Sequence, residues 1–332
     1  MQTKQHPLGS GFTAASTAAD VLEGVDLTGF HAVVTGGHVG LGLQATRALS
    51  AAGASVTVGS RHRDLAAPAL AGIARVEVAQ LDLLDPASID AFADRYLDSG
   101  RPLHILINNA GIMGGPLVRD ARGYESQFAT NHLGHFQLTL GLRPALRAAR
   151  GARVVNVSSG GHRLSGIRWE DPHFTNCYDA MLAYGQSKTA NVLCAVELDR
   201  RWAGEAIRGY AVHPGIVVGT NLGNSSTEEQ VRSVRLAMGL IDASGRPIID
   251  PDSDRKTPQQ GAGTIVFAAT SPLLADIGGV YLRNNDISLL DDTAEPAVFG
   301  PAAIASADVV PHAIDPDAAR RLWGLSERLL TA

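Results

Sequence analysis

The sequence predicts a single α/β domain: a doubly wound parallel sheet of about seven strands with helices on both faces. Three observations predict it. Short β-branched runs alternate with Ala/Leu-rich helical stretches from residue 31 to about residue 283. Several of the runs are continuously apolar, the pattern of parallel strands covered on both faces. A glycine-rich stretch, TGGHVGLG (35–42), lies where the first run gives way to a helical stretch.

The runs that read as strands are HAVVT (31–35), ASVTV (54–58), ARVEVAQ (74–80), LHILIN (103–108), ARVVNVS (152–158), IRGYAVHP (207–214) and GVYLR (279–283). The helical stretches between them supply right-handed crossovers, which place ligands beyond the carboxyl ends of the strands. Residues 1–29 read as an N-terminal extension with a capped helical piece, STAADVLEGV. The core domain spans 30–284, with irregular loops at 160–180 and 221–257 assigned to substrate. A C-terminal extension, 285–332, ends in DPDAARRLWGLSERLL, with Asp317 near a helix start and Leu322, Trp323, Leu325 and Leu329 as its candidate buried face. No internal repeat, low-complexity tract or interdomain linker interrupts this order.

Composition narrows the function classes. With 45% hydrophobic and 18% charged residues, the 332-residue chain is globular rather than disordered. A net charge of −5 gives no basic surface for nucleic acid. Cys177 and Cys194 make no disulfide framework and have no zinc-ligand spacing, so a reduced compartment and no metal are expected. The first twenty residues lack an apolar signal region, and no apolar window of roughly 18 residues predicts a membrane span. The expected location is the cytoplasm.

Gly36, Gly40 and Gly42 let the backbone turn tightly and approach a pyrophosphate, while a following helix N-terminus favours the anion. The G-x3-G-x-G spacing differs from the common G-x-G-x-x-G, and alone it is only a tight turn. The second strand ends in Gly59 and Ser60, where an NAD site would place Asp or Glu for the ribose 2′-hydroxyl. Arg61 follows, with Arg63 nearby, and a guanidinium suits a 2′-phosphate. The residues therefore favour NADP(H) over NAD(H), unless both arginines are solvated surface charges.

Tyr184 and Lys188, in YGQSK, share one helix face. A free phenol ionises near pH ~10, and a neighbouring positive charge favours its phenolate. Tyr184 can then give a proton to a carbonyl oxygen during reduction, or accept one from an alcohol. A Ser at 158 or 159 can hold the same oxygen. Each piece is common by itself; their order along one chain is not.

Together with NNAG (108–111), TNHLG (130–134), VNVSS (155–159) and VHPG (212–215), these motifs resemble the short-chain dehydrogenase/reductase family over most of the chain. VNVSSGGH, AYGQSKTANVL and RRLWGLSE are similar to its branch of retinol dehydrogenases and NADP-linked carbonyl reductases. The resemblance implies a Rossmann fold and an oxidoreductase acting on CH–OH and C=O groups. It implies catalytic Asn131, Ser159 (the second serine), Tyr184 and Lys188, with Asn131 helping to hold a water that links Lys188 to solvent. Thr35, Gly37, His38, Val39 and Leu41 would complete the cofactor turn, His38 standing where NADP-linked relatives often carry Lys or Arg. Asp82 and Leu83 would flank the adenine, and Asn109, Ala110 and Gly111 the adenosine ribose. Pro214, Gly215 and Val217 would border the nicotinamide. The family's threonine falls five residues after the proline; here that place is Gly219, and Thr220 follows one later.

The loop that separates Ser159 from Tyr184, 25 positions apart, brings Leu164, Trp169 and Phe174 toward the expected mouth, with VRLAMGLI (234–241) opposite. An apolar pocket implies a small hydrophobic carbonyl or alcohol substrate, the rival being that these residues only pack on the sheet. His162, His173 and His213 lack zinc spacing and read as structural or surface histidines. A non-catalytic NADP-binding sensor would be expected to lose a member of the catalytic set. A nucleotide-sugar epimerase or dehydratase would usually carry another glycine spacing. Both a homodimer and a monomer stay open.

Overall fold

The computed structural model describes residues 4–217, 228–292 and 307–331. Its strands are β1 (His31–Thr35), β2 (Ser55–Ser60), β3 (Val76–Gln80), β4 (Ile105–Asn108), β5 (Ala152–Val157), β6 (Ile207–His213), β7 (Ile216–Val217), β8 (Arg255–Lys256), β9 (Val280–Arg283) and β10 (Asp286–Ile287). The main sheet runs β10-β9-β6-β5-β4-β1-β2-β3, and β7 pairs with β8 in a separate ribbon. All main-sheet pairs are parallel except β9 with β10. The chain winds outward from β1 to β3, then returns to β4 on the other side of β1. The carboxyl ends of β1 and β4 therefore face helices that leave in opposite directions, and a crevice opens between them.

Among the described residues the sheet has eight strands rather than about seven. The addition, β10, is made by a tight return through Asn284 and Asn285, both left-handed at φ 54° and 63°. Asn tolerates that conformation, and a two-residue loop with both φ positive suits an antiparallel hairpin. A two-residue strand carries no periodicity for a sequence reading to detect.

The apolar runs are buried on both sides: Ala32, Val33 and Val34 of β1 are at most 1% exposed. The helices Gly40–Ala51 and Pro258–Thr270 cover one face, and Pro86–Asp98, Gly134–Gly141 and Ala180–Trp202 the other. Caps set where the last of these begins: the Asp179 carboxylate accepts the amides of Met181 and Leu182 at 2.8 and 2.9 Å.

The flanking segments are fastened to this core. Gln5 bonds the backbone of Tyr281 and Ser288, and Asp286 accepts the amides of Leu8, Gly9 and Ser10. Thr17 and Asp20 form a reciprocal cap on the short helix Ala18–Val21. The terminal helix Pro316–Thr331 buries Ala319, Leu322, Trp323 and Ser326, while Leu325 and Leu329 are only half-buried. Ser326 is there because its hydroxyl meets His132 Nε2 at 2.7 Å, a contact an apolar pattern does not reveal.

Candidate active site

At the end of β1 the chain turns through Gly36 and Gly40, both left-handed at φ 64° and 55°. A Cβ on Gly42 would lie 2.5 Å from the Gly36 carbonyl oxygen and 2.6 Å from the Asn109 amide nitrogen. The backbone is thus closed to any side chain at 42. Val39, at the N-cap of Gly40–Ala51, is extended and offers no side-chain cap. The first-turn amides and the helix dipole are left for an anion, and the turn fits a dinucleotide pyrophosphate. Gly37 is packed shut against Thr46 and Val58, and the Leu41 and Val217 side chains both crowd Gly261.

The Thr35 hydroxyl accepts the amides of Asn109 and Ala110, each at 2.9 Å, and the Asn109 side chain donates to Thr35 O at 2.9 Å. The loop after β4 is thereby locked to the turn. Gly111 follows; a Cβ there would stand 3.1 Å from Asn131 Oδ1 and 3.6 Å from Lys188 Nζ. The loop after β4 and the Asn131 and Lys188 side chains meet at this glycine.

Tyr184 and Lys188 project from one face of Ala180–Trp202 and are both buried. Ser159 Oγ and the Tyr184 ring meet at Gly161, where a Cβ would lie 3.4 Å from the one and 2.8 Å from the other. Burial pushes the Tyr184 phenol up to about 12, and the neighbouring Ser159 hydroxyl pulls the other way. Burial pushes the Lys188 ammonium down to about 8. Lys188 Nζ lies over the Tyr184 ring, 5.5 Å from its centre, and donates to Val157 O at 3.1 Å. Ser159 opposes the effect of burial on the phenol, while the Lys188 ammonium faces the ring and the end of β5. The two serines also part company here: Ser158 Oγ donates to Lys188 O at 2.8 Å, while Ser159 reaches Tyr184.

Asn131 lies in a π-helical turn, Ala129–Leu133, where an extra residue bulges the helix. Its side chain accepts from Ile112 N and donates to Ile112 O and Ser187 Oγ, each at 2.9 Å. Sequence reasoning missed His135. Its Nδ1 stands 3.1 Å from Asn131 O, and a carbonyl only accepts, so Nδ1 carries the proton. Nε2 then accepts from the Thr35 hydroxyl at 2.8 Å. Burial pushes His135 down to about 4, which keeps it neutral for both bonds. The Asn108–Asn156 pair, at 2.8 Å across β4 and β5, was missed as well. For these residues the only sequence signal is a polar side chain inside or beside an apolar run.

Other expected residues are placed less centrally. Asp82 Oδ1 accepts Leu84 N at 3.0 Å, capping its own turn, and Leu83 is buried under Gly134. Gly59 and Ser60 lie within β2, and Arg61 is exposed just beyond it. Half-buried His38 has burial, then His62, lowering its basicity, and its Nδ1 has no hydrogen-bond partner among the described residues. Gly215 is left-handed at φ 82° and lies against Lys256. Thr220 lies outside the described residues. The loop aromatics went into packing: Phe174 is 1% exposed, and Trp169 packs with Tyr124, Phe128 and Leu322. Leu164 packs over Gly185. Among the described residues no helix is long and apolar enough to cross a membrane, and no group of acidic, Cys and His side chains could hold a metal.

Residues 30–231 match the family model described as short chain dehydrogenase. The chain belongs to the short-chain dehydrogenase family. It is therefore an oxidoreductase of a family that binds a nicotinamide cofactor, and it lies close to the retinol dehydrogenase-like branch. A "Probable oxidoreductase" of Streptomyces lividans is 44% identical over 315 residues, covering 93% of this chain and 100% of its own. Mouse "Retinol dehydrogenase 11" is 37% identical over 92% of this chain and 88% of its own. A solved structure of an uncharacterised protein from Mycobacterium paratuberculosis superposes with a TM-score of 0.69 at 32% identity, covering 96% of this chain and 98% of that one.

Proposed function

We propose that this dehydrogenase uses NADP(H) to interconvert hydrophobic ketones or aldehydes and the corresponding alcohols. The observation that carries the reading is the juxtaposition of Ser159 with the buried Tyr184, over whose ring Lys188 lies while also bordering Gly111 in the loop after β4. A bound nicotinamide supplies or takes up the hydride. Tyr184, protonated across the neutral range, donates its phenolic proton to the carbonyl oxygen in reduction. Ser159 donates a hydrogen bond to the same oxygen and fixes its place. For oxidation, a cationic Lys188 beneath the ring favours the phenolate that must accept the alcohol proton. Asn131 holds the loop at Ile112 against the Tyr184 helix through Ser187.

The cofactor preference rests on the absence of a carboxylate in Gly59–Ser60 and on exposed Arg61 at the end of β2. An apolar substrate is supported by Leu117, Val118 and Leu182, exposed apolar side chains on the segments that carry Gly111 and Tyr184. The test follows NADPH absorbance with a panel of apolar ketones and aldehydes. Tyr184→Phe is expected to abolish turnover while NADPH binding, read by fluorescence, persists. Undiminished turnover in that variant would refute the acid–base assignment.

A further inference from the structure

We propose that His213 is a positioning residue: it holds the Ser159–Gly160 peptide for reaction and ties it to the segment returning at Asp254. This rests on Ser159 holding the substrate oxygen. His213 ends β6 and is 3% exposed. Its Nδ1 accepts the Gly160 N–H at 3.0 Å. A ring nitrogen that accepts carries no proton, so the ring's proton resides on Nε2. Nε2 faces Asp254 Oδ2 at 3.4 Å, and Arg283 Nη2 reaches the same oxygen at 3.1 Å. The carboxylate is 1% exposed. At 3.4 Å its approach to Nε2 is a charge contact rather than a hydrogen bond, and a buried anion on the Nε2 side favours the tautomer that leaves Nδ1 free to accept from Gly160.

The other side of Ser159 is held as well. His162 Nδ1 donates to Ser159 O at 2.7 Å, so the serine's carbonyl and the next residue's amide are both fixed by histidines. The Ser159 hydroxyl accepts Gly161 N at 3.1 Å, beside the Tyr184 ring. Rotating the Ser159–Gly160 peptide would break that arrangement. Asp254 also acts through its backbone, where its carbonyl accepts Ile216 N at 2.7 Å, just past the Pro214–Gly215 turn. One imidazole thereby joins the serine loop, the turn beside the expected nicotinamide and the end of the substrate segment.

Two amide substitutions separate the ends of the ring. His213→Asn places its oxygen where Nδ1 accepts, and keeps the bond to Gly160. His213→Gln extends toward Asp254 and leaves Gly160 without an acceptor. In carbonyl reduction by the intact enzyme, kcat should fall on the order of ten- to a hundredfold in His213→Gln and stay within about threefold in His213→Asn. KM for NADPH should change in neither. In a Ser159→Ala background, His213→Gln should reduce kcat no further, because the group it positions is gone. Equal losses in the two amide variants, or a His213→Gln loss that multiplies undiminished onto Ser159→Ala, would overturn the positioning role. Full kcat in Ser159→Ala alone would instead remove the reading of Ser159 on which it rests. Thermal unfolding of both amide variants separates misfolding from mispositioning.

Discussion

Lys188→Met should make the protein more stable while removing its chemistry. The ammonium is 3% exposed, and burial lowers it from 10.5 to about 8. At about 1.4 kcal/mol for each pKa unit, holding Lys188 charged inside the fold costs roughly 3 kcal/mol at neutral pH. Met keeps the unbranched stem and drops the charge. It also drops the bond from Nζ to Val157 O, worth about 1 kcal/mol, but Asn191 still donates to that carbonyl at 3.1 Å. The net gain is about 2 kcal/mol. The pH dependence identifies its source. The folded-state value lies below the unfolded one, so the wild type bears the full penalty below pH about 8 and loses it as pH rises toward 10.5. Urea unfolding of cofactor-free wild type and variant, run from pH 7 to 10, should show the variant's advantage present at neutral pH and shrinking above 8. An advantage that is constant over that range, or a variant less stable at pH 7, would refute the argument.

Arg61→Ala should raise the Kd of NADPH by roughly tenfold or more and leave that of NADH nearly unchanged, since only NADPH carries the 2′-phosphate; titration with both nucleotides checks it. Ser158→Ala removes the bond to Lys188 O and should lower stability by about 1 kcal/mol with little change in kcat, whereas Ser159→Ala should lose most of kcat. Gly42→Ala drives a Cβ against the Gly36 carbonyl, where backbone must shift. It should weaken binding of either dinucleotide and cost about 1–3 kcal/mol of stability, read by nucleotide titration and urea unfolding.

What could be read from the chain alone was short-range. Apolar runs and helical spacing mark elements whose hydrogen bonds close within or beside one segment. The glycines at 36, 40 and 42 mark a turn, and Tyr184 and Lys188 share a face because they are one helical turn apart. Packing between distant segments decided the rest. Successive side chains at a strand end point to opposite sides, yet only the helix laid over β5 determines that Ser158 meets a carbonyl and Ser159 a phenol. Phe174 and Trp169 look like pocket walls until the body of the protein and the terminal helix cover them. His135 and His213 acquire roles only when Thr35, Asn131, Gly160 and Asp254 are brought to them. The physical reason is that periodicity records which face of an element avoids water, whereas the partner of a buried polar group is selected by the fold that removes both from water.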